Sequence, residues 1–229
     1  YLADRGVCSR READRLIEAG DVVVNGQLAG LGVQVDENDE VRVKGAIVTA
    51  AAPKLLVLAF HKPVGIISSV DPTKRDNILS FLGRTDHIFA IGRLDVASSG
   101  LLLLTNDGRL SEKITQPKYE HEKEYVVTVD KDISDAALQQ MRDGMMILGS
   151  MTKPAKVTRV PGRTRSFHII LTEGRNRQIR RMCEQLGLNV IKLVRVRVMH
   201  ILLGDLPEGA TRPLTQSETD ELLRNTSES

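Results

Sequence analysis

The sequence predicts an α+β protein in which helices flank a mixed, largely antiparallel sheet, with a small α/β module at the amino end. Short segments rich in Val, Leu and Ile and bounded by turn residues outnumber the segments with helical periodicity. Strands and helices do not alternate regularly along the chain, which argues against a parallel sheet. The 229 residues are 41% hydrophobic, which suffices for a medium-sized packed domain and a small one.

The first 48 residues carry the signals of a separate small module. Ser9 and Glu12 have the spacing of a capping box, so we expect a helix from residue 10 to residue 19. Asn25-Gly26 predicts a tight hairpin, because both residues tolerate a positive φ. The predicted strands of the module are Val22–Val24 and Val41–Val43.

The run CSRREADRLIEAGDVVVNG within this module resembles the small S4-like RNA-binding module first described in a ribosomal small-subunit protein. The resemblance implies that the helix contacts RNA through Arg10, Arg11 and Arg15. Six Lys and Arg stand against nine Asp and Glu up to residue 48, so such a contact depends on the arginine face and not on net charge. A solvated helix without a role in RNA binding is the alternative.

An Ala-rich stretch that ends in Pro53 predicts a linker over residues 49–53, followed by a larger domain over residues 54–229. Thr215 and Glu218 have capping-box spacing at the start of its last helix. The predicted strands are Leu55–His61, Ile88–Ile91, Leu101–Thr105, Glu124–Val129, Lys156–Val160, Ser166–Thr172 and Lys192–Leu202. The predicted helices are Asn77–Phe81, Leu110–Thr115, Asp135–Arg142, Asn176–Leu186 and Gln216–Arg224.

The composition disfavours several classes of protein. No run approaches the roughly 18 apolar residues of a membrane span, so we expect no membrane association. Cys8 and Cys183 lie far apart in the sequence, which predicts two reduced thiols in a cytoplasmic protein. None of the five histidines has the spacing of a zinc site, so no metal is expected.

Basic residues concentrate in one segment, although the net charge of the chain is only +2. Between residues 173 and 197, seven basic residues oppose two glutamates, a local charge of +5. The basic residues are Arg175, Arg177, Arg180, Arg181, Lys192, Arg195 and Arg197. Such an excess attracts phosphates and favours a nucleic-acid partner. Because Arg195 and Arg197 are two residues apart on a predicted strand, we expect them to share one basic face, with a solvated strand edge as the alternative.

The segment IGRLDVASSGLLLLT, residues 91–105, places Arg93 and Asp95 in a loop between two predicted strands. Catalytic groups often lie in loops that rigid strands hold in place. A capping role for Asp95 in a turn or helix is the open alternative, because short polar side chains commonly bind nearby backbone groups.

Four stretches in a fixed order carry a family resemblance: HKPVGIISS, GRLDVASSGLLLLTNDG, HEKEYVVTV and EGRNRQIRRMCEQLG. They span residues 61–187 and resemble the motifs of the RsuA-type bacterial ribosomal RNA pseudouridine synthases. The stretches HEKEYVVTVDK, ILGS and RDNI look closest to the F-type subgroup, which acts on large-subunit ribosomal RNA. The resemblance implies the pseudouridine synthase fold and an isomerase that acts on a uridine in structured RNA.

The resemblance also implies the catalytic set. Asp95 matches the family's catalytic aspartate, Tyr125 its base-stacking tyrosine and Arg180 the basic partner of the aspartate. A guanidinium beside Asp95 would favour the ionised carboxylate and orient it through a charge-assisted hydrogen bond. The alternatives are a core position for Tyr125 and a plain phosphate contact for Arg180.

Other arginines are expected to bind the RNA backbone. A stacked uridine is not accessible to an enzyme, so we expect the target nucleotide to flip out of its helix. Arg93 would fill the vacated space or bind the adjacent phosphate, with a salt bridge inside its loop as the alternative. Arg175, Arg177 and Arg181 are expected to contact phosphates and not bases.

The implied reaction moves the glycosidic bond from N1 to C5 of the base without a redox change, so no cofactor is expected. A carboxylate can act as nucleophile or base, and the sequence leaves this choice open. The expected partner of a monomeric enzyme is a stem-loop of large-subunit ribosomal RNA, with small-subunit ribosomal RNA or transfer RNA as alternatives. The rival functions are a non-catalytic RNA-binding assembly factor and a nucleoside or glycoside hydrolase.

Overall fold

The computed structural model of the chain describes residues 1–48, 54–71, 73–84 and 88–227. The linker predicted over residues 49–53 lies outside these ranges. Within them, no helix is long and apolar enough to cross a membrane. Both cysteines are free thiols, in agreement with the prediction.

Residues 1–48 fold into one helix beside a small antiparallel sheet that has its own apolar cluster. Helix α1 (Arg10–Glu18) begins where predicted, because Ser9 Oγ accepts a hydrogen bond from Glu12 N at 3.2 Å. Asn25 and Gly26 form the predicted hairpin turn with φ of 50° and 80°. The sheet has the order β2-β1-β3-β4 and consists of β1 (Val22–Val24), β2 (Gln27–Leu28), β3 (Val41–Val43) and β4 (Ala46–Ile47).

The rest of the described chain is built on one mixed sheet. Its strands are β5 (Val57–Lys62), β6 (Phe89–Ile91), β7 (Ser99–Thr105), β8 (Lys123–Val129), β11 (Lys156–Arg159), β12 (Ser166–Leu171), β13 (Val190–Val198), β14 (Ile201–Leu202) and β15 (Thr211–Pro213), while β9 (Met146–Ile147) and β10 (Ser150–Met151) form a separate hairpin. The spatial order is β11-β12-β8-β13-β7-β5-β15, with β6 beside β7 and β14 beside β13. Among the described strands of this sheet, only β7 and β13 pair in parallel, which confirms the largely antiparallel sheet.

The two halves of this sheet meet at the β7–β13 pair. Val194 lies opposite Ser99, and Arg195 lies opposite Gly100. Gly100 has a φ of 112°, and a Cβ on it would lie 2.3 Å from the carbonyl oxygen of Arg195. Glycine at position 100 therefore allows the close approach of the two strands.

Five helices of the described chain cover the two faces of the sheet. They are α2 (Ile78–Leu82), α3 (Gly108–Thr115), α4 (Asp135–Asp143), α5 (Gln178–Gln185) and α6 (Gln216–Ser227). On one face, residues of β8, β12 and β13 pack with α4 and α5, and residues of β5 and β7 pack with α2. On the other face, β5 and β7 pack with α3 and α6. The first face contains a boundary between two apolar clusters, and the candidate site lies at that boundary.

The predicted elements differ from the observed ones in several places; β4 and β15 were not predicted, and α5 begins at Gln178 where a start at Asn176 was expected. The strand predicted over Lys192–Leu202 is divided, because Met199 adopts a φ of 53° and the chain turns back as the β13–β14 hairpin. The β9–β10 hairpin was not predicted, since its turn has Leu148 at a φ of 51°, where Asn, Asp or Gly is usual. The predicted capping box of Thr215 and Glu218 is confirmed, with both reciprocal hydrogen bonds present.

Candidate active site

The loop between β6 and β7, residues 92–98, carries Asp95, and we call it the aspartate loop. Asp95 is half-buried, and its backbone carbonyl accepts a hydrogen bond from Ser98 N at 3.0 Å, which closes a turn. Its carboxylate forms no hydrogen bond or salt bridge with any described residue. The side chain therefore does not serve as a cap, and its oxygens are free to bind a substrate.

Three parts of the fold hold the backbone of the aspartate loop. From the segment after β5, Gly65 N donates to Val96 O at 2.8 Å. From α5 and β13, Arg180 Nη2 donates to Ala97 O at 2.8 Å and Arg195 Nη1 to the carbonyl oxygen of residue 93 at 3.3 Å. The loop is thus fixed at both ends and near its middle, as the exact placement of a reactive group requires.

Arg180 lies on the first turn of α5 and is only 9% exposed. Its guanidinium also donates to Val190 O at 3.2 Å and to Ser98 Oγ at 3.4 Å. The expected direct bond to Asp95 is absent between these two described residues: Nη1 and Nη2 donate to other acceptors, and the buried Nε has no hydrogen-bond partner within the described ranges. Burial lowers the pKa of Arg180, Arg177 lowers it further, and the charge of Asp95 opposes both. Arg180 therefore acts on Asp95 through its electrostatic field and through the loop backbone.

Tyr125 is half-buried on β8 and packs against both apolar clusters of this face. One cluster is carried by α4 and α5, and the other by α2 and Leu94 of the aspartate loop. The ring thus lies where the two clusters meet, and one of those clusters includes Leu94, the residue before Asp95. The core alternative and the stacking role are compatible here, because one face of a half-buried ring can pack on the core while the other face stays available to stack on a base.

A row of directly paired residues, in which Tyr125, Arg195 and Lys62 have polar side chains, crosses the sheet at this position. The strand register places Tyr125 opposite Arg195, Arg195 opposite Gly100, and Gly100 opposite Lys62. Directly paired residues of neighbouring strands point to the same face, so all of these residues face the aspartate loop side. The row extends across four strands, from one half of the sheet to the other.

Lys62 is a site residue that the sequence reasoning missed. It is 0% exposed, and its Nζ donates to Pro63 O at 2.7 Å and to Ile66 O at 2.9 Å. Burial and the nearby Arg195 lower its pKa to about 8, and the charges of Asp95 and Glu208 oppose this. The signal for Lys62 was its place in the HKPVG stretch at the end of a buried strand, where a lysine needs a specific reason to be buried.

The prediction that Arg195 and Arg197 share one basic face is wrong. A bulge lies between them, so that Arg195 is opposite Tyr125 and Arg197 is opposite Glu124. Arg195 is 2% exposed and donates its Nε to Leu101 O at 2.7 Å, while Arg197 forms salt bridges of 2.9 and 3.0 Å with two glutamates of the opposite face. One arginine thus belongs to the candidate site, and the other to a surface ion-pair network.

The three arginines expected to contact phosphates differ in their surroundings. Arg175 binds Glu173 at 3.0 Å and donates to Ser150 Oγ at 2.8 Å and to Met151 O, so it anchors the β9–β10 hairpin. Arg181 is half-buried and donates to the side chain and carbonyl of Asn176. Arg177 is exposed at a φ of 51° and binds no described residue through its side chain, which leaves its charge available.

The remaining arginines named from the sequence are exposed. The side chain of Arg93 forms no salt bridge with any part of the chain that the structure describes, so the alternative of an ion pair in its loop is not supported. Arg10, Arg11 and Arg15 lie on α1, and Arg15 pairs with Glu12 at 3.3 Å. Within the described ranges, no group of three or more His, Cys, Asp or Glu side chains could hold a metal ion.

Comparison with known proteins places this geometry in a family. The family model described as RNA pseudouridylate synthase matches residues 56–185, and the S4 domain matches residues 1–41. The Dual-specificity RNA pseudouridine synthase RluF of Salmonella typhi is 46% identical over 225 residues, which cover 98% of this chain and 77% of the relative.

Further relatives agree with this result. The Ribosomal large subunit pseudouridine synthase B of Bacillus subtilis is 38% identical over 96% of this chain and 93% of its own length. A solved structure titled "Crystal structure of pseudouridylate synthase" is 31% identical, covers 96% of both chains and superposes with a TM-score of 0.70. The chain therefore belongs to the RNA pseudouridylate synthase family and carries an S4 domain at its amino end.

Proposed function

We propose that this enzyme isomerises a specific uridine of large-subunit ribosomal RNA to pseudouridine, with Asp95 as the essential carboxylate. The observation that carries the proposal is the unpaired, half-buried Asp95 carboxylate in a loop fixed from three sides, where its charge interacts with the buried cations Lys62 and Arg180. The relatives whose names include RluF or ribosomal large subunit support the choice of reaction and RNA class.

The reaction breaks the bond between N1 of the base and C1′ of ribose and forms a bond from C5 to C1′. N1 gains a proton, C5 loses one, and no electrons enter or leave. Asp95 would act on the flipped nucleotide as nucleophile or base and would stabilise positive charge on the sugar. Tyr125 would stack on the base while it turns, which is worth roughly 1–3 kcal/mol for a base on an aromatic ring.

RNA would be bound by two parts of the chain, a module over residues 1–48 and a catalytic domain over residues 54–229, joined by residues 49–53. In the module, the exposed arginines Arg10, Arg11 and Arg15 would contact the RNA. In the catalytic domain, Arg177, Arg181 and Arg93 would contact phosphates near the target. Arg175 would support this surface indirectly, since its donors already hold the β9–β10 hairpin. We further propose that the enzyme is a cytoplasmic monomer.

Mapping of pseudouridine in total cellular RNA, with and without the gene, tests the reaction and the substrate together. The proposal predicts that a site in large-subunit ribosomal RNA disappears and returns on complementation. Loss confined to small-subunit ribosomal RNA or transfer RNA would contradict the substrate but not the reaction. An unchanged map would contradict the enzyme assignment, and release of free uracil by the purified protein would favour a hydrolase.

A further inference from the structure

Ser68, in the segment between β5 and α2, contacts the residue that precedes Asp95. Its Oγ donates a hydrogen bond to Leu94 O at 2.8 Å and accepts one from Leu94 N at 3.0 Å. A serine hydroxyl has one donor and two acceptor positions, so a single side chain can satisfy both backbone groups of Leu94. Leu94 itself is 7% exposed, which limits the access of water to these groups.

These two bonds control the direction in which the chain enters Asp95. The carbonyl of Leu94 belongs to the same planar peptide group as the nitrogen and Cα of Asp95. The amide of Leu94 belongs to the peptide group before it. One hydroxyl therefore fixes two consecutive peptide planes, and with them the starting point of the Asp95 side chain. The contacts from Arg180 and Gly65 act on the other side of Asp95, at residues 96–98.

We propose that Ser68 is a positioning residue of the active site, which sets the Asp95 carboxylate against the flipped uridine without touching the substrate. This inference rests on the proposed function of Asp95. Without the hydroxyl, the peptide plane between Leu94 and Asp95 loses this partner, and the plane before it keeps only the 3.3 Å bond from Arg195 to the carbonyl of residue 93, so the aspartate loop gains freedom on that side. A displacement of about 1 Å at a reactive group can lower a rate by roughly 100-fold.

The neighbouring Ser69 provides a matched control. Its Oγ accepts a hydrogen bond from Asp71 N at 3.1 Å, so it also binds a backbone amide from the same segment. It forms no hydrogen bond with the aspartate loop among the described residues. Removal of either hydroxyl deletes the same atom from the same segment, but only one deletion reaches Asp95.

The test compares Ser68→Ala, Ser68→Thr and Ser69→Ala in single-turnover pseudouridine formation on a ribosomal RNA fragment. We expect Ser68→Ala to lower the rate at saturating enzyme by about 10- to 100-fold, with RNA affinity within about threefold of wild type. Ser68→Thr, which keeps the hydroxyl, should recover most of the rate, and Ser69→Ala should stay within about twofold. Ser68→Cys, a close match in volume with a weaker donor, gives the same answer if the alanine variant does not fold.

Two results would overturn the proposal. One is a folded Ser68→Ala or Ser68→Cys enzyme that turns over at the wild-type rate. The other is an equal loss in Ser68→Ala and Ser69→Ala, which would indicate a general effect on the segment. Asp95→Asn, measured in parallel, separates the two claims: if it is inactive while Ser68→Ala is normal, only the positioning role fails, and if it is fully active, the proposed function fails.

Discussion

Replacement of Gly100 by alanine is expected to lower the free energy of unfolding by more than about 4 kcal/mol. The new Cβ would lie 2.3 Å from the carbonyl oxygen, 2.5 Å from the nitrogen and 2.9 Å from the carbonyl carbon of Arg195. All three are backbone atoms, so no side-chain rotation can relieve the overlap. The φ of 112° adds on the order of 1–3 kcal/mol for a residue with a side chain. The remainder arises because β7 and β13 must separate where the two halves of the sheet join.

The measurement is urea-induced unfolding followed by circular dichroism, with Gly162→Ala as the control. Gly162 also has a positive φ, 71°, but a Cβ there would meet no atom within 4 Å. The control isolates the backbone strain and should cost about 1–2 kcal/mol. If Gly100→Ala is no more destabilising than Gly162→Ala, the close approach of the strands at this point is not a constraint, and the reasoning fails.

Three further substitutions test the electrostatics and the RNA surface. Folding lowers the pKa of Lys62 from 10.5 to about 8, so the unfolded chain binds more protons than the folded chain between these pH values. The free energy of unfolding should therefore rise with pH in this range, by about 3 kcal/mol for this group. Lys62→Met should reduce the rise between pH 7 and 10.5 in denaturation curves by this amount, while Lys123, whose pKa burial also lowers to about 8, keeps its own contribution in the variant. An identical pH dependence of variant and wild type would contradict the burial of a titrating amine at position 62. Arg180→Lys keeps the charge but cannot bind Ala97 O and Val190 O together, so turnover should fall at least about tenfold, with RNA affinity within about threefold of wild type. Turnover at the wild-type rate would contradict the role of Arg180 in holding the aspartate loop. Arg177→Ala should weaken RNA binding and reduce the slope of the logarithm of the RNA association constant against the logarithm of the salt concentration by about 0.7–0.9. Arg175→Ala should leave this slope unchanged, and equal slopes in both variants would contradict the assignment of Arg177, but not Arg175, as a phosphate contact.

The sequence predicted those parts of the structure that depend on local chemistry. The helix starts at Ser9 and Thr215 follow from capping, and the turn at Asn25-Gly26 follows from positive φ. The buried strand β7 follows from an uninterrupted apolar run. Asp95 itself was identified through family motifs, because a lone aspartate in a loop has no pattern that distinguishes catalysis from capping.

The features that were missed depend on irregular backbone and long-range packing. The bulge at β13 shifts the register by one residue, so period-two reasoning placed Arg195 on the wrong surface. The guanidinium of Arg180 binds carbonyls of residues 97 and 190, which no spacing in the sequence reveals. The burial of Lys62 and the role of Ser68 likewise arise only when the segment after β5 packs on the aspartate loop.

The central claim is that the Asp95 carboxylate performs the isomerisation, and Asp95→Asn tests it most directly because the amide keeps the size and shape of the side chain. Pseudouridine and free uracil are quantified by nucleoside mass spectrometry after incubation of the purified variant with large-subunit ribosomal RNA. Asp205→Asn, a change at an exposed carboxylate, serves as the control. We predict RNA binding within a few fold of wild type and no pseudouridine for Asp95→Asn, with normal product for the control. Pseudouridine formation by Asp95→Asn at the wild-type rate would contradict the account.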